Sequence, residues 1–346
     1  MTPERGCVSR RMFARTLAAA AALLPVRMDA QNAGRIDVHH HFTPPFYVKA
    51  MEKELAAGGF NARPWTPEIS LEAMDRHKIA TALLSPVQRL VMDSMSDRSR
   101  RARSLARQSN EFGAQVVRDH PGRFGLLAAL PLPDTEGSLH EIEYAFDTLK
   151  ADGIALWTSY LDKWPGDPAF APVFAELDRR KAVVFFHPAT ANCCRNLIPG
   201  LSISGIIEYD LDTARAAESL LVNGTPARFP NVRFILSHSG GALPVLAARI
   251  IDDYPKNFTD RLPKGAEYEI RRFYYEVAHG AGKPGLDALK ELVPVSQILF
   301  GSDVPIRNYE LTTDGLDRFT GFSGADRDAI NRGNAERLFP RLKAKG

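Results

Sequence analysis

Nine histidines are spread along the 346-residue chain. Three of them crowd one short run, Ile36-Asp37-Val38-His39-His40-His41-Phe42. Side chains of an extended strand alternate, so His39 and His41 share one face and His40 takes the other. Two imidazoles two residues apart on one face can grip a single metal ion. Further groups of the same kind close apolar runs downstream. His187 follows Phe185-Phe186, His238 follows Ile235-Leu236-Ser237, His279 ends the run from Phe273, and Asp303 ends Leu299-Phe300-Gly301-Ser302. A lone histidine at a strand end is usually a hydrogen-bonded structural residue, and His40, His77, His120 and His140 read that way. A series of apolar runs ending in imidazole or carboxylate is different, because burying such a group unpaired costs roughly 2–7 kcal/mol. The joint pattern points to a metal centre.

Eight short apolar, β-branched runs must position these residues: Arg35–His41, Ile79–Ser85, Phe124–Leu132, Gly153–Thr158, Ala182–Pro188, Val232–Ser239, Phe273–His279 and Gln297–Pro305. Between them lie stretches of helical period. Ser138–Ala151 carries apolar residues at Leu139, Ile142, Ala145, Phe146 and Leu149. Ser99–His120, Pro168–Arg180 (with Asp167 as N-cap) and Asp210–Asn223 are the other clear helices. Strands that alternate with helices imply parallel βαβ units, and eight of them imply closure into a (β/α)8 barrel. In that fold the C-terminal strand ends converge on one mouth, which is where His39, His41, His187, His238, His279 and Asp303 fall. Pro44–Pro67 after strand one and Tyr254–Arg271 before strand seven read as insertions that build the rim. Phe42, Phe46, Tyr47, Trp157 and Tyr160 are candidates to line a slot for an aromatic ring, and His279 to hold a substrate hydroxyl.

Residues 1–33 read as an address. Ser9-Arg10-Arg11-Met12-Phe13 precedes an apolar run from Leu17 to Leu24, too short for the ~20 residues that span a bilayer. The layout is that of a twin-arginine export signal, which predicts an exported, periplasmic protein whose single domain is residues 34–346. The net charge of +3 falls to zero without this segment, which holds five arginines against Glu4 and Asp29. A neutral chain gives no reason to expect nucleic acid or an anionic membrane as partner. The Arg98, Arg100, Arg101, Arg103, Arg107 series reads as a solvated helix face. Cys7 lies in the signal, and Cys193 and Cys194 are neighbours, where a bridge is strained. They read as loop residues close to the site.

Asp37-x-His39-x-His41, His187-Pro188, His238-Ser239-Gly240-Gly241 and Gly301-Ser302-Asp303-x-Pro305 resemble, in order and spacing, the motifs of the amidohydrolase superfamily. They are most similar to its decarboxylase branch, typified by aminocarboxymuconate-semialdehyde decarboxylase. The stretch from Ile36 to Tyr47 most resembles the 6-methylsalicylate and γ-resorcylate decarboxylases. The resemblance covers about residues 35–340. It implies His39, His41, His187 and Asp303 as metal ligands, with His238 hydrogen-bonded to bound water or substrate. It implies a homodimer in which Arg249 reaches the neighbouring subunit's site, and it suggests Arg63 as a substrate-binding arginine. Strand four offers no lysine to bridge two metals, which favours one ion.

Three neutral imidazoles and one carboxylate suit Zn²⁺ or Mn²⁺. The expected chemistry is non-oxidative decarboxylation of a hydroxy-aromatic or related unsaturated acid. The carboxylate and its ortho hydroxyl chelate the ion, a proton goes to the ring carbon, and CO₂ departs without an organic cofactor. Asp303 or His238 would deliver the proton. Two other readings remain open on sequence alone: a lactonase or amidohydrolase using metal-activated water, and an exported metal- or solute-binding protein without turnover.

Overall fold

The computed structural model describes residues 34–52, 65–86, 96–161, 163–189, 191–194, 197–198, 206–254 and 256–343. Residues 1–33, read above as an export signal, Arg63 and much of the first insertion lie outside them. Eight strands form one sheet, each pairing in parallel with the next: β1 Arg35–Phe42, β2 Ile79–Pro86, β3 Phe124–Ala129, β4 Gly153–Trp157, β5 Val183–His187, β6 Arg233–Leu236, β7 Tyr274–Glu276 and β8 Ile298–Leu299. The segment after β8 returns to β1, where Val38 N donates to Phe300 O at 3.0 Å and His41 N to Val304 O at 2.7 Å. These bonds draw the ring into a barrel.

A helix follows each strand: α1 Pro67–Arg76, α2 Ser96–Asp119, α3 Thr135–Glu143, α4 Ala171–Arg179, α5 Glu208–Val222, α6 Leu243–Asp252, α7 Lys283–Leu292 and α8 Tyr309–Arg318. Asp134 caps α3, its side chain accepting from Gly137 N at 2.9 Å. Asp167 accepts from Ala169 N at 2.9 Å and opens the turn that leads into α4. The arginine-rich face of α2 is less open than the sequence suggests. Arg103 pairs with Asp134, and Arg107 pairs with Glu141 at 2.9 Å while its guanidinium covers the Tyr144 ring. That face therefore joins α2 to α3. None of the described helices is long and apolar enough to cross a membrane.

Two apolar layers result from the alternation of the strands. Ile36, Val38, Leu83, Leu127, Ala155, Val183, Phe185, Ile235 and Leu299 fill the lumen. The chain's last helical turns, Asn334–Leu338 and Pro340–Leu342, add Ala335, Phe339 and Leu342 to the same cluster. The second layer lies between sheet and helices and includes Leu84, Leu126, Ile154, Phe186, Phe234 and Phe300.

Four strands stop three or more residues short of the ends of their apolar runs. β3 ends at Ala129 rather than Leu132, just before Pro131, which has no N–H to donate. β6 and β7 end at Leu236 and Glu276, short of His238 and His279, and β8 ends at Leu299, short of Asp303. His238, Ser239, His279 and Asp303 all have φ between 54° and 65°. That left-handed conformation breaks a β ladder, so these residues sit in turns beyond the strand ends.

Candidate metal centre

A bulge in β1 sets up the site. Asp37 pairs with Ala82 and His40 with Leu84, so β1 advances three residues while β2 advances two. Strict alternation would send Ile36 and Val38 to the face opposite His39 and His41. The extra residue resets the phase, and all four reach the lumen. Asp37 anchors the distortion. Its carboxylate accepts from His39 N at 3.0 Å, Ser302 N at 3.0 Å, Ser302 Oγ at 2.6 Å and the Tyr309 hydroxyl at 3.1 Å. Opposite, His40 Nδ1 lies 3.0 Å from the Tyr309 hydroxyl and Nε2 2.8 Å from Ser70 Oγ. His40 thus serves the wall of the barrel, as its position in the triplet implied.

In the mouth, one ligand atom each from His39, His41, His187 and Asp303 lies within 4.8 Å of the others. Asp303 Oδ1 is 3.1 Å from His39 Nε2, 2.9 Å from His41 Nε2 and 3.9 Å from His187 Nε2. The other ring nitrogens are engaged. His39 Nδ1 meets Glu276 Oε1 at 2.8 Å, His41 Nδ1 meets Ser85 Oγ at 3.1 Å, and His187 Nδ1 donates to Pro188 O at 3.0 Å. Partners of this kind fix the tautomer that turns an Nε2 lone pair inward. Two such nitrogens, of His39 and His41, stand 3.0 Å apart. Asp303 Oδ1 is buried and has no hydrogen-bond partner among the described residues. Acceptors converging on an orphaned carboxylate oxygen require a cation among them, so these residues fit a divalent ion.

The charges agree. Burial drives His187 down to about 3 and lowers His41, which keeps both neutral. Burial opposes the charge of Asp303, but the imidazoles around it, His39 first, hold the carboxyl well below its usual range. Burial also opposes a charge on His39. There Glu276 and Asp303 outweigh it and push the imidazole up to about 10. The pair of carboxylates favours positive charge at this spot, which a proton supplies when no ion does.

Asp303 Oδ2 faces a second group. It accepts from His279 Nε2 at 2.7 Å and lies 3.7 Å from His238 Nε2, and the His238 and His279 rings are 4.5 Å apart. Arg307 Nη1 stands 2.9 Å from His279 Nδ1. A guanidinium only donates, so His279 Nδ1 accepts and its Nε2 carries the proton given to Asp303. His279 then has no lone pair left for a second ion. His238 Nε2 is buried with no hydrogen-bond partner among the described residues. This half of the site thus sets a protonated nitrogen of His279 beside an unpartnered nitrogen of His238.

Glu276 was not among the sequence candidates. Besides His39, its carboxylate accepts the backbone N–H groups of His238 and Ala278, each at 2.7 Å. The signal was there: a carboxylate between Tyr275 and Val277, in a strand buried on both faces. It also explains Gly301, where a Cβ would come within 2.1 Å of Glu276 Oε2. Arg307 was missed as well, because nothing in the sequence ties it to His279.

The aromatic candidates separate. Trp157 stands edge-on to His187 at 5.2 Å, and its indole N–H is buried with no hydrogen-bond partner among the described residues. Tyr209, at the start of α5, is 6.3 Å from the same ring. Phe42 and Tyr47, expected to contact substrate, are enclosed elsewhere. Phe42 stacks on Phe112 and packs against Trp65 behind the barrel wall, because the residue after His41 points outward. Tyr47 is buried with Met51, Leu105, Ala106 and Ala129, and Phe46 packs on the edge of that cluster. Tyr160 is buried too, and its hydroxyl accepts from Trp157 N at 2.8 Å, which braces the β4 end. Arg249 is not brought to this chain's metal donors. Its side chain is 83% exposed on α6, with Asp253 3.7 Å away.

Fold and donor set together define a metal-binding (β/α)8 barrel with its centre at the C-terminal mouth. The profile of the amidohydrolase family matches residues 36–341, and the chain belongs to that family. It is 38% identical over 324 residues to decarboxylase macB of Penicillium terrestre, covering 89% of this chain and 96% of that one. It is 36% identical over 330 residues to the 6-methylsalicylic acid decarboxylase of Penicillium expansum, covering 89% and 97%. Among solved structures, the dihydroxybenzoic acid decarboxylase of Polaromonas sp. JS666, with bound manganese and 2-nitroresorcinol, superposes with a TM-score of 0.74 at 24% identity, covering 90% and 98%.

Proposed function

We infer that this protein is a metal-dependent, non-oxidative decarboxylase of a hydroxy-aromatic acid. The observation that carries the reading is the convergence of His39, His41, His187 and the orphaned Oδ1 of Asp303 at one mouth. Its curated relatives named as decarboxylases, 6-methylsalicylic acid decarboxylases among them, support the reaction class.

His39, His41, His187 and Asp303 would hold the ion. When bound, it supplies a Lewis-acid anchor for a carboxylate and a neighbouring hydroxyl oxygen. Asp303 has both oxygens committed, one to the donor cluster and one to His279, whereas His238 Nε2 faces the site with no partner. We therefore assign proton delivery to His238. The proton adds to the ring carbon that bears the carboxylate, the bond between that carbon and the carboxylate breaks, and the departing group leaves as CO₂. His279, with Arg307 behind it, keeps Oδ2 of Asp303 from turning. The indole N–H of Trp157 is placed to receive an oxygen of the acid.

Manganese is the ion we propose, since the Polaromonas relative holds it. We also propose a homodimer through the outward face of α6, where Val245 is 79% exposed and Arg249 projects beside it. Export through residues 1–33 would let the chain fold around its ion before leaving the cytoplasm.

Protein stripped of metal and reloaded with Mn²⁺ or Zn²⁺ should release CO₂ from 6-methylsalicylate or 2,6-dihydroxybenzoate. Opening of lactones or amides without CO₂ release would overturn the reading in favour of hydrolysis. Sedimentation at micromolar concentration tests the dimer, and fractionation of expressing cells tests the export.

A further inference from the structure

We propose that Cys193 and Cys194 form a reversible dithiol–disulfide modification site on the rim of the barrel. Both lie on the 3-10 turn Asn192–Cys194, in the connection that leaves β5 directly after His187. Cys194 N donates to Ala191 O at 3.0 Å, and this curl sets the two thiols side by side. The turn already gathers the thiols that a bridge between neighbouring residues has to bring together. Their exposure is unequal: Cys193 is exposed and Cys194 buried. That is the arrangement of an attacking thiol and a resolving one.

The co-reactant is a small-molecule disulfide. Cys193 loses its proton to solvent, attacks one sulfur of that disulfide, breaks its S–S bond and expels one thiolate. Cys194 then loses its proton and attacks the Cys193 sulfur, and the bond of Cys193 to the small molecule breaks with release of the second thiolate. The two cysteines together give up two electrons, and the small disulfide is reduced to two thiols. Burial shields Cys194 from a second external molecule, while Cys193 is next to it, so the ring forms in place of a lasting adduct and its strain keeps it easily reduced. The ring would close on the connection that follows His187 out of β5. Nothing in this chemistry depends on the decarboxylase reading.

The intact protein is incubated with oxidised glutathione, quenched with iodoacetamide and digested with trypsin, and the peptide from Ala182 onward is weighed. The expected peptide carries no alkyl group and is two hydrogens lighter than the dithiol. After dithiothreitol it should take two alkyl groups. In Cys194→Ser the second step is removed, and the glutathione adduct on Cys193 should rise at least tenfold over wild type. Two alkyl groups on the oxidised wild-type peptide, a lasting adduct at Cys193, or disulfide-linked chains through either cysteine would overturn the proposal.

Discussion

Glu276 Oε1 lies 2.8 Å from His39 Nδ1, deep in the barrel and 237 residues away in sequence. The carboxylate orients one imidazole of the donor set and leaves its Nε2 for the ion. Outer partners of this kind typically contribute about 10- to 100-fold in metal affinity. Glu276→Gln should therefore weaken metal binding by that range while the barrel still folds. Competition with a fluorescent chelator measures it, and unchanged affinity would remove Glu276 from the centre.

Arg307 acts one step further out. Its hydrogen bond sets the tautomer of His279, which in turn holds Asp303 Oδ2. A hydrogen bond to a charged group contributes about 1.5–3 kcal/mol, so Arg307→Gln should lower kcat roughly 10- to 100-fold. Metal content should stay that of wild type, and Arg307→Lys should restore part of the rate. Loss of the ion in Arg307→Gln would show a structural role instead.

Trp157 offers a test of substrate placement. Its buried indole N–H has no hydrogen-bond partner among the described residues. Trp157→Phe keeps an aromatic ring beside His187 and removes the donor. A lost neutral hydrogen bond of about 1 kcal/mol corresponds to a roughly fivefold rise in KM with kcat little changed. An unaltered KM would mean that this N–H never meets the acid.

Asp134 gives a pH dependence away from the centre. Burial opposes its charge, but Arg103, Ser99 and Gly137 N outweigh it and draw the carboxyl down to about 2. The unfolded chain titrates near 3.9. The stabilisation is therefore complete above about pH 4 and disappears as the pH falls through about 2. Asp134→Ala should destabilise the protein by about 1 kcal/mol at neutral pH, as the loss of a helix cap does. Urea melts between pH 6 and 2 should show the two proteins converging at the acid end. A constant gap across that range would contradict the assignment.

Eight apolar runs separated by helical periods were enough to read the barrel, because buried parallel strands leave a plain apolar signature. Alternation paired His39 with His41, but their phase relative to Ile36 and Val38 comes from one extra residue in β1, and a bulge has no sequence signature here. His238, His279 and Asp303 looked like strand ends. Their left-handed backbone places them in turns, a conformation that non-glycine residues rarely disclose. Phe42 and Tyr47 were misplaced because an aromatic residue near the mouth can as easily face the helices. Glu276 was legible in principle, as an acid inside an apolar strand. The Arg307–His279 bond was not, since it depends on how two separate loops meet.

The floor of the barrel has a consequence for traffic. Phe339 and Leu342 stopper the end opposite the histidines, and layered side chains fill the shaft above them. Among the described residues, that leaves reactant and both products the histidine end alone as their doorway. The small gas has to slip past an aromatic product that is still seated, or wait behind it, so departure rather than bond breaking can set the pace of turnover.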